Sequence, residues 1–580
     1  MQTGAPKVAR APARRELLEL AGLGAALAWL PGLAAASLAG CRAGHGAGAE
    51  ELQVDVLVVG GGLGGCAAAL AACRGGARVL LAEESTWLGG QLTSQAVPPD
   101  EHRAIETHGS SRSWRELRTR VREHYRARWP LSERARAREA LNPGEGWVSR
   151  LCCEPDAALA ALDAMLAPHV AEGRLDVWLG SRPLRAEVER DHVRRVVLQT
   201  PGGERAVRAR TFVDACEDGS LSSLCGAEHR TGSEARAETG EPHAAERARP
   251  LNVQAGTWVM ALAHEAGADH RTAAPEGYAR WRAFVPELDP PWPGRLLDWT
   301  TTHPRTAEPR RLEFSPLPAD EPALRPNLWT YRRVRCSTNL DERAVPRDAT
   351  LVNWPQNDYL LGDVWSLDPL ERERHRAGAR ELSLCLLHWL RSEAPRSDGG
   401  AGWPGLVLAP SVAGTPDGLA ARPYQRESLR LVTETTLREQ DIEPSARAEE
   451  LGVAPEDAGA RPFADAVGVG HYGEIDLHPT IDGDNYRSLG CLPFQLPLGM
   501  LIPVRLENLL PAAKNVGSTH ITNGVCRLHP VEWVLGEVAG TLAAAALRRG
   551  LPARAVRARP AELAQLQREL GAAGVDLAWP

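Results

Sequence analysis

Gly60, Gly62 and Gly65 stand at GxGxxG spacing, and Glu83 follows 23 positions after the first of them. Residues without side chains at those places permit a tight turn, a close approach of backbone to a pyrophosphate, and close packing of a helix on a strand. Gly64 lies in the same run and is grouped with the phosphate-facing positions. A carboxylate at the distance of Glu83 accepts hydrogen bonds from a ribose. The chemistry implied is the holding of a dinucleotide. The acid suits FAD or NAD and disfavours the 2′-phosphate of NADP.

These residues need a strand to deliver them and a helix whose free amides and positive dipole end face the phosphates. Residues 52–59 (LQVDVLVV) form a β-branched run suited to a buried parallel strand. CAAALAACRGG then reads as a helix ended by Gly75-Gly76, and ARVLLAEE as a second strand closed by Glu83. Further along, LDVWLG, PLRAEVERDHVRRVVLQT and AVRARTFVDAC read as strands, with a Pro-Gly-Gly turn before the last. The fold class expected is α/β, a Rossmann-like dinucleotide-binding domain with a β-meander, plus an inserted mixed α+β cap.

Two more segments separate FAD from NAD. Thr86-Trp87-Leu88-Gly89-Gly90-Gln91-Leu92 resembles the glycine-rich flavin-contact segment of FAD-dependent oxidoreductases with this entry. Phe212-Val213-Asp214-Ala215 resembles their return strand, with Asp214 open to two readings, cofactor contact or turn brace. Residues 507–533, which include Lys514-Asn515-Val516-Gly517 and lead into a helix over 530–547, resemble the segment that holds the flavin ring and ribityl chain. Together with Gly146-Trp-Val-Ser-Arg-Leu, Arg422-Pro-Tyr-Gln-Arg-Glu-Ser and Ile475-Asp-Leu-His-Pro, these pieces resemble the FAD-dependent oxidoreductase family related to fumarate-reductase-like flavoproteins. The resemblance covers most of residues 51–550. It implies FAD, held non-covalently since no attachment motif is present, and redox activity on a substrate it leaves open. The cofactor-binding residues expected are Gly60, Gly62, Gly64, Gly65, Glu83, Gly89, Gly90, Gln91, Asp214, Lys514, Asn515 and Gly517.

Reaction at a flavin N5 needs a substrate over the ring, a charge partner and a proton donor or acceptor. His520 and Arg527 lie in the flavin-contact segment. His520 reads as a proton shuttle or as a loop-orienting hydrogen bond, and Arg527 as a charge stabiliser. Arg426, with Arg422, Glu427 and Arg430, falls in a stretch over 425–437 that reads as helix. It is either a substrate clamp or one half of a surface ion pair with Glu427. His478, in Asp476-Leu-His-Pro, is a third candidate, with turn capping as its other reading. Lys514, the only lysine besides Lys7, would stabilise an anionic reduced flavin if it neighbours the ring. No metal site is expected: Asp482-Gly-Asp484-Asn485 lacks the remaining ligands of a calcium loop.

The whole chain sets the context. It has 580 residues, a formal charge of −7 and 43% hydrophobic residues, which excludes a disordered chain and gives no general pull toward nucleic acid. Eleven scattered cysteines with no C-x-x-C pair argue against a disulfide scaffold or a zinc knuckle. Residues 1–40 place Lys7, Arg10, Arg14 and Arg15 before an apolar run ending Leu38-Ala39-Gly40-Cys41. That layout reads as an export signal of lipoprotein or twin-arginine type, or as an uncleaved anchor. The expectation is an exported protein on the periplasmic side, lipid-anchored at Cys41 and touching the membrane there only. No other segment reads as a membrane span.

The organisation expected is a signal over 1–40, a tether over 41–50 and a FAD domain over 51–250 with a solvated helical insertion at 111–145. A cap over 251–470, the rest of the FAD domain over 471–550 and a helical tail over 551–580 complete it. The partners expected are a small-molecule substrate and an electron carrier such as a quinone or cytochrome. Oxidation of a C–OH and reduction of an activated C=C both fit. The competing class is a binding or assembly protein whose flavin is structural or lost.

Overall fold

Two helices pack with almost no space between their backbones, and the sheet that holds the glycine run lies beneath them. A Cβ on Gly536 would fall 2.0 Å from the Gly64 carbonyl oxygen, and one on Gly540 would fall 2.1 Å from that of Ala68. The first helix, α1, spans Leu63–Arg74, and its partner is His529–Arg549. In the computed structural model, residues 51–317, 327–341 and 347–580 are described. The export signal, the tether and Cys41 lie outside them.

The sheet begins with β1 (Leu52–Val59), followed by β2 (Val79–Glu83), β3 (Leu175–Leu179), β4 (Arg182–Glu189), β5 (His192–Thr200) and β6 (Gly203–Asp214). Their spatial order is β3-β2-β1-β6-β5-β4, and β3, β2, β1 and β6 run parallel. β5 runs antiparallel to the start of β6, and the short strand Leu509–Pro511 runs parallel to its end. The second half of β1, Val56–Val59, is an unbroken apolar run because both its faces are covered. Val56 and Val58 pack on the helix side, while Leu57 and Val59 pack on the meander side.

The stretch 182–200 forms a hairpin and not one long strand, because Arg190, at φ 56°, turns the chain between β4 and β5. A second, four-stranded antiparallel sheet joins Arg333–Arg335, Ala349–Val352, Met260–His264 and Leu406–Leu408. Helix Pro369–Ser392 lies in the core beside it, which is built largely from tryptophans, among them Trp281, Trp299, Trp354 and Trp389.

Three further expectations need correction. Helix Arg112–Arg128 is no solvated insertion: Trp114, Leu117, Val121 and Tyr125 recur at helical spacing and are buried. Residues 425–437 are not helical. Gln425 through Leu431 are buried on every side and take tertiary backbone partners, such as Gln95 Oε1 for the Gln425 N–H (3.1 Å) and the Asn515 carbonyl for the Leu431 N–H (3.0 Å). Finally, His529–Arg549 is long and apolar enough to cross a membrane, yet it is a core helix with 83% of its apolar window buried.

Candidate functional site

At the end of β1 the chain turns at Gly60 (φ 99°), where a Cβ would sit 2.1 Å from the Ala215 carbonyl oxygen. A Cβ on Gly65 would sit 1.9 Å from the Gly60 oxygen, and one on Gly64 would sit 1.7 Å from that of Ala512. These glycines therefore serve the close approach of β1, α1 and the C-terminal segment. Gly62 caps α1 without any side-chain hydrogen bond. Glu83, at the end of β2, accepts the Gly61 N–H (2.6 Å) and the Ser85 N–H (2.7 Å), which ties the glycine turn to the neighbouring strand. Burial pushes its carboxyl pKa up. An open cleft of about 940 Å³, counting the solvent in its mouth, runs past Val59, Gly60, Glu83, Ser181 and Ala215.

The second glycine pair folds onto the first. A Cβ on Gly90 would lie 2.9 Å from Gly62 Cα and 2.6 Å from Glu217 Oε1. Gln91 donates from Nε2 to the Arg527 carbonyl (3.1 Å) and to Glu532 Oε2 (2.5 Å). Glu532 Oε1 in turn accepts the Gly64 N–H (3.1 Å), a carboxylate at the positive end of α1. The buried ammonium of Lys514 pairs with Glu217 and lies 4.0 Å from Glu532. Burial pushes the Glu532 carboxyl up to about 7.

Asp214 acts as a turn brace, accepting the Cys216 N–H (3.0 Å) and the Ser222 N–H (2.8 Å). Asn515 donates to the Asp214 carbonyl (3.1 Å). Gly517 faces Thr433, whose Oγ1 lies 1.8 Å from where its Cβ would be, so it serves packing between segments.

These features fit a flavin adenine dinucleotide. The N-cap of α1 is a glycine with no side chain to cover the helix end, where Glu532 takes the Gly64 N–H, and glycines on two loops leave no Cβ between them. A carboxylate stands at the ribose position beside an open cleft. The buried Glu217 Oε1 and Gln91 Oε1, beside the paired glycines, have no hydrogen-bond partner in the protein.

Three of the four catalytic candidates join one chain of charges. Arg426 Nη2 meets Asp358 Oδ1 (3.0 Å), and Asp358 Oδ2 meets His478 Nδ1 (3.1 Å). His478 Nε2 lies 3.3 Å from Asp476 Oδ2, which Arg527 Nη2 holds at 2.8 Å. Arg527 Nη1 donates onward to the Tyr424 hydroxyl (2.9 Å). Burial opposes ionisation of both aspartates, but the cations beside them prevail. Arg426 and His478 hold Asp358 low, and His478 and Arg527 hold Asp476 well below the usual carboxylate range. Arg426 is thus a buried link to Asp358, and the ion pair with Glu427 belongs to Arg430.

His520 belongs to a separate group. Thr519 caps the short helix His520–Cys526 by accepting the Thr522 N–H (3.1 Å). The His520 N–H donates to Glu234 Oε2 (2.9 Å), and its Nδ1 meets Glu427 Oε1 (3.0 Å). Burial lowers its pKa, but Glu427 more than offsets that and leaves it raised. His520 and His478 line one small polar cavity with Ser233, Thr480 and Arg487. Asp482 and Asp484 both pair with Arg249.

Sequence reasoning missed Glu217, Glu532, Asp358 and Tyr424, whose partners lie far away along the chain. Asp476 had a usable signal, because it stands two positions before His478 at the end of strand Glu474–Leu477.

Residues 55–570 match the family of FAD dependent oxidoreductases. No curated protein matches the chain. Among solved structures, it is similar to a geranylgeranyl bacteriochlorophyll reductase-like protein from Thermoplasma acidophilum, at 10% identity over 91% of this chain and 85% of that one, with a TM-score of 0.32. It is also similar to E. coli quinol fumarate reductase FrdA, at 13% identity over 90% of this chain and 74% of that one, with a TM-score of 0.30. A third similarity is to the OxyS anhydrotetracycline hydroxylase from Streptomyces rimosus, at 12% identity over 90% of this chain and 66% of that one, with a TM-score of 0.30. Likenesses this distant say nothing of substrate. The glycine turn, Glu83 and the C-terminal segment all fall inside the matched residues, and the chain belongs to the FAD dependent oxidoreductase family, as a flavin-binding redox enzyme.

Proposed function

We propose that the enzyme transfers hydride between a small organic substrate and flavin N5, with His478 as the proton-transferring group. The observation that carries this reading is the chain Arg426–Asp358–His478–Asp476–Arg527, which ends at the residue whose carbonyl receives Gln91. When bound, the flavin supplies the hydride acceptor or donor, and the protein supplies the proton chemistry. A C–OH substrate gives up its hydroxyl proton as hydride leaves carbon; an activated C=C takes up a proton as hydride arrives. His478 Nε2 holds that proton against Asp476, the more exposed of its two carboxylates, while Asp358 and Arg426 fix the ring from the other side. Arg527 orients Asp476 and stays charged throughout.

The residues over 251–470 act as a cap. The basic and apolar run over 1–40 supports a periplasmic, lipid-anchored enzyme that exchanges electrons with a quinone or cytochrome. Tested on sugars, polyols and unsaturated acids with a dye acceptor or donor, His478→Gln is expected to lower kcat by roughly 10²–10⁴-fold with flavin content unchanged. A flavin-loaded protein without turnover on any of them would favour the binding or assembly role.

A further inference from the structure

The place where a pyrophosphate belongs holds two acids. Gly62 is the glycine at which backbone approaches that group. A Cβ there would lie 3.2 Å from Glu217 Oε1 and 3.3 Å from Glu532 Oε1. Glu532 Oε1 also takes the Gly64 N–H (3.1 Å), one of the first-turn amides of α1 that a phosphate would use. Glu217 Oε1 is buried and has no hydrogen-bond partner.

The cation beside these acids can answer only one of them. Lys514 pairs with Glu217 and lies 4.0 Å from Glu532 Oε2. Among the described residues, no other Lys, Arg or His forms an ion pair with either acid. Cys66, on α1, feels Glu532, but burial and the acids around it push its thiol up, so it brings no charge. Tyr424 and His529 act on Lys514, and burial pushes His529 down to about 3, which leaves it neutral. Glu83, at Gly61, has both oxygens engaged by the Gly61 and Ser85 N–H groups. A doubly charged pyrophosphate would therefore meet one carboxylate that nothing neutralises, in a buried setting where like charges repel strongly.

We infer that FAD binding is coupled to proton uptake at Glu532, which is a carboxylic acid when the pyrophosphate is in place and meets it as a neutral hydrogen-bond donor. Glu217 stays ionised against Lys514. The proton comes from solvent and returns there when the cofactor leaves. Burial pushes the Glu532 carboxyl up to about 7 despite Lys514, and Glu217 adds to the rise. A bound anion pushes it further the same way. Below about 7 the free site already holds the proton that the bound site requires; above it, each pH unit weakens FAD by up to about tenfold.

The test is the FAD dissociation constant of the full chain, found by diluting the holoenzyme and reading the released flavin by fluorescence. Between about pH 6 and about pH 8.5 the constant is expected to stay level at first and then to rise, by up to about tenfold per unit. Glu532→Gln keeps an acceptor for the Gly64 N–H and is neutral at every pH. Its constant should be level throughout and, at about pH 8.5, roughly tenfold or more below that of the unaltered protein. A level constant in the unaltered protein, or a rise that survives in Glu532→Gln, overturns the inference. A second measurement needs neither dissociation nor a variant. In protein whose glutamates carry isotope-labelled carboxyls, the infrared spectrum at about pH 8 should gain a labelled protonated-carboxyl band when FAD is bound. No gain in that band overturns the inference whatever the affinity, and whether or not Glu532→Gln folds.

Discussion

Lys514 stands among acids, fully buried between Glu217 and Glu532. Removing it would strand two buried carboxylates beside the amide end of α1, a loss of about 3–5 kcal/mol. Lys514→Met is therefore expected to melt well below the unaltered protein. Its bound flavin should also show a lower midpoint potential, since an ammonium favours the anionic reduced form. A redox titration checks this, and an unchanged potential would mean that the ammonium serves only to neutralise the two acids. Glu532 caps Gly64 from the same group, so the residues that greet a cofactor's phosphates and those that hold two helices together are partly the same.

At the scale of elements, the contact between α1 and His529–Arg549 has no slack. Leucine at Gly540 would need space that the Ala68 carbonyl already fills. Gly540→Leu is expected to part the two helices and to lose both stability and flavin together, as read by melting temperature and by absorbance of the purified protein. β1, α1, β2 and the helix after residue 529 were legible in the sequence. Each is an apolar run closed by glycines or a charge, and its local pattern and its tertiary environment agree. Helix Arg112–Arg128 was misread because seven arginines masked the stripe Trp114, Leu117, Val121 and Tyr125, and because Arg118 and Arg122 bury their charges against Glu101 and Glu106.

The stretch 425–431 was misread for a related reason. Its charges look like the solvated face of a helix, but their partners, Asp358 and Glu234, lie far off in the sequence. The candidate site divides along the same line. Its glycine turns are written locally in the backbone, whereas Asp358 and Glu217 acquire their surroundings only when distant segments meet.

The molecule as a whole holds several acids in neutral-range balance. Burial pushes Glu154, Glu241 and Glu532 each up to about 7. A carboxyl raised on folding contributes stability at low pH that is lost as pH rises through its folded value. Glu241 accepts the Thr519 hydroxyl (2.6 Å) and the Glu439 N–H (2.9 Å), bonds that a neutral amide oxygen can keep. Glu241→Gln should therefore gain on the unaltered protein as pH rises from about 4.5 past about 7. The difference in melting temperature, followed across that range, reports it; a constant difference would mean that Glu241 stays ionised.

The return of the chain's last third to β6 has a consequence for how the molecule is made. Glu83 leaves the ribosome early, but Leu509–Pro511, which completes the sheet, and Lys514 follow more than 400 residues later. At about 5–20 residues per second, that is an interval of roughly 20–90 s. Throughout it Gly64 lacks the segment it packs against, and from its completion at Asp214 onward β6 has an open edge. A nascent chain in this interval cannot close its nucleotide cradle, so cofactor capture belongs to the end of translation. An unfinished or proteolytically shortened chain would present an unpaired strand to chaperones and to other copies of itself.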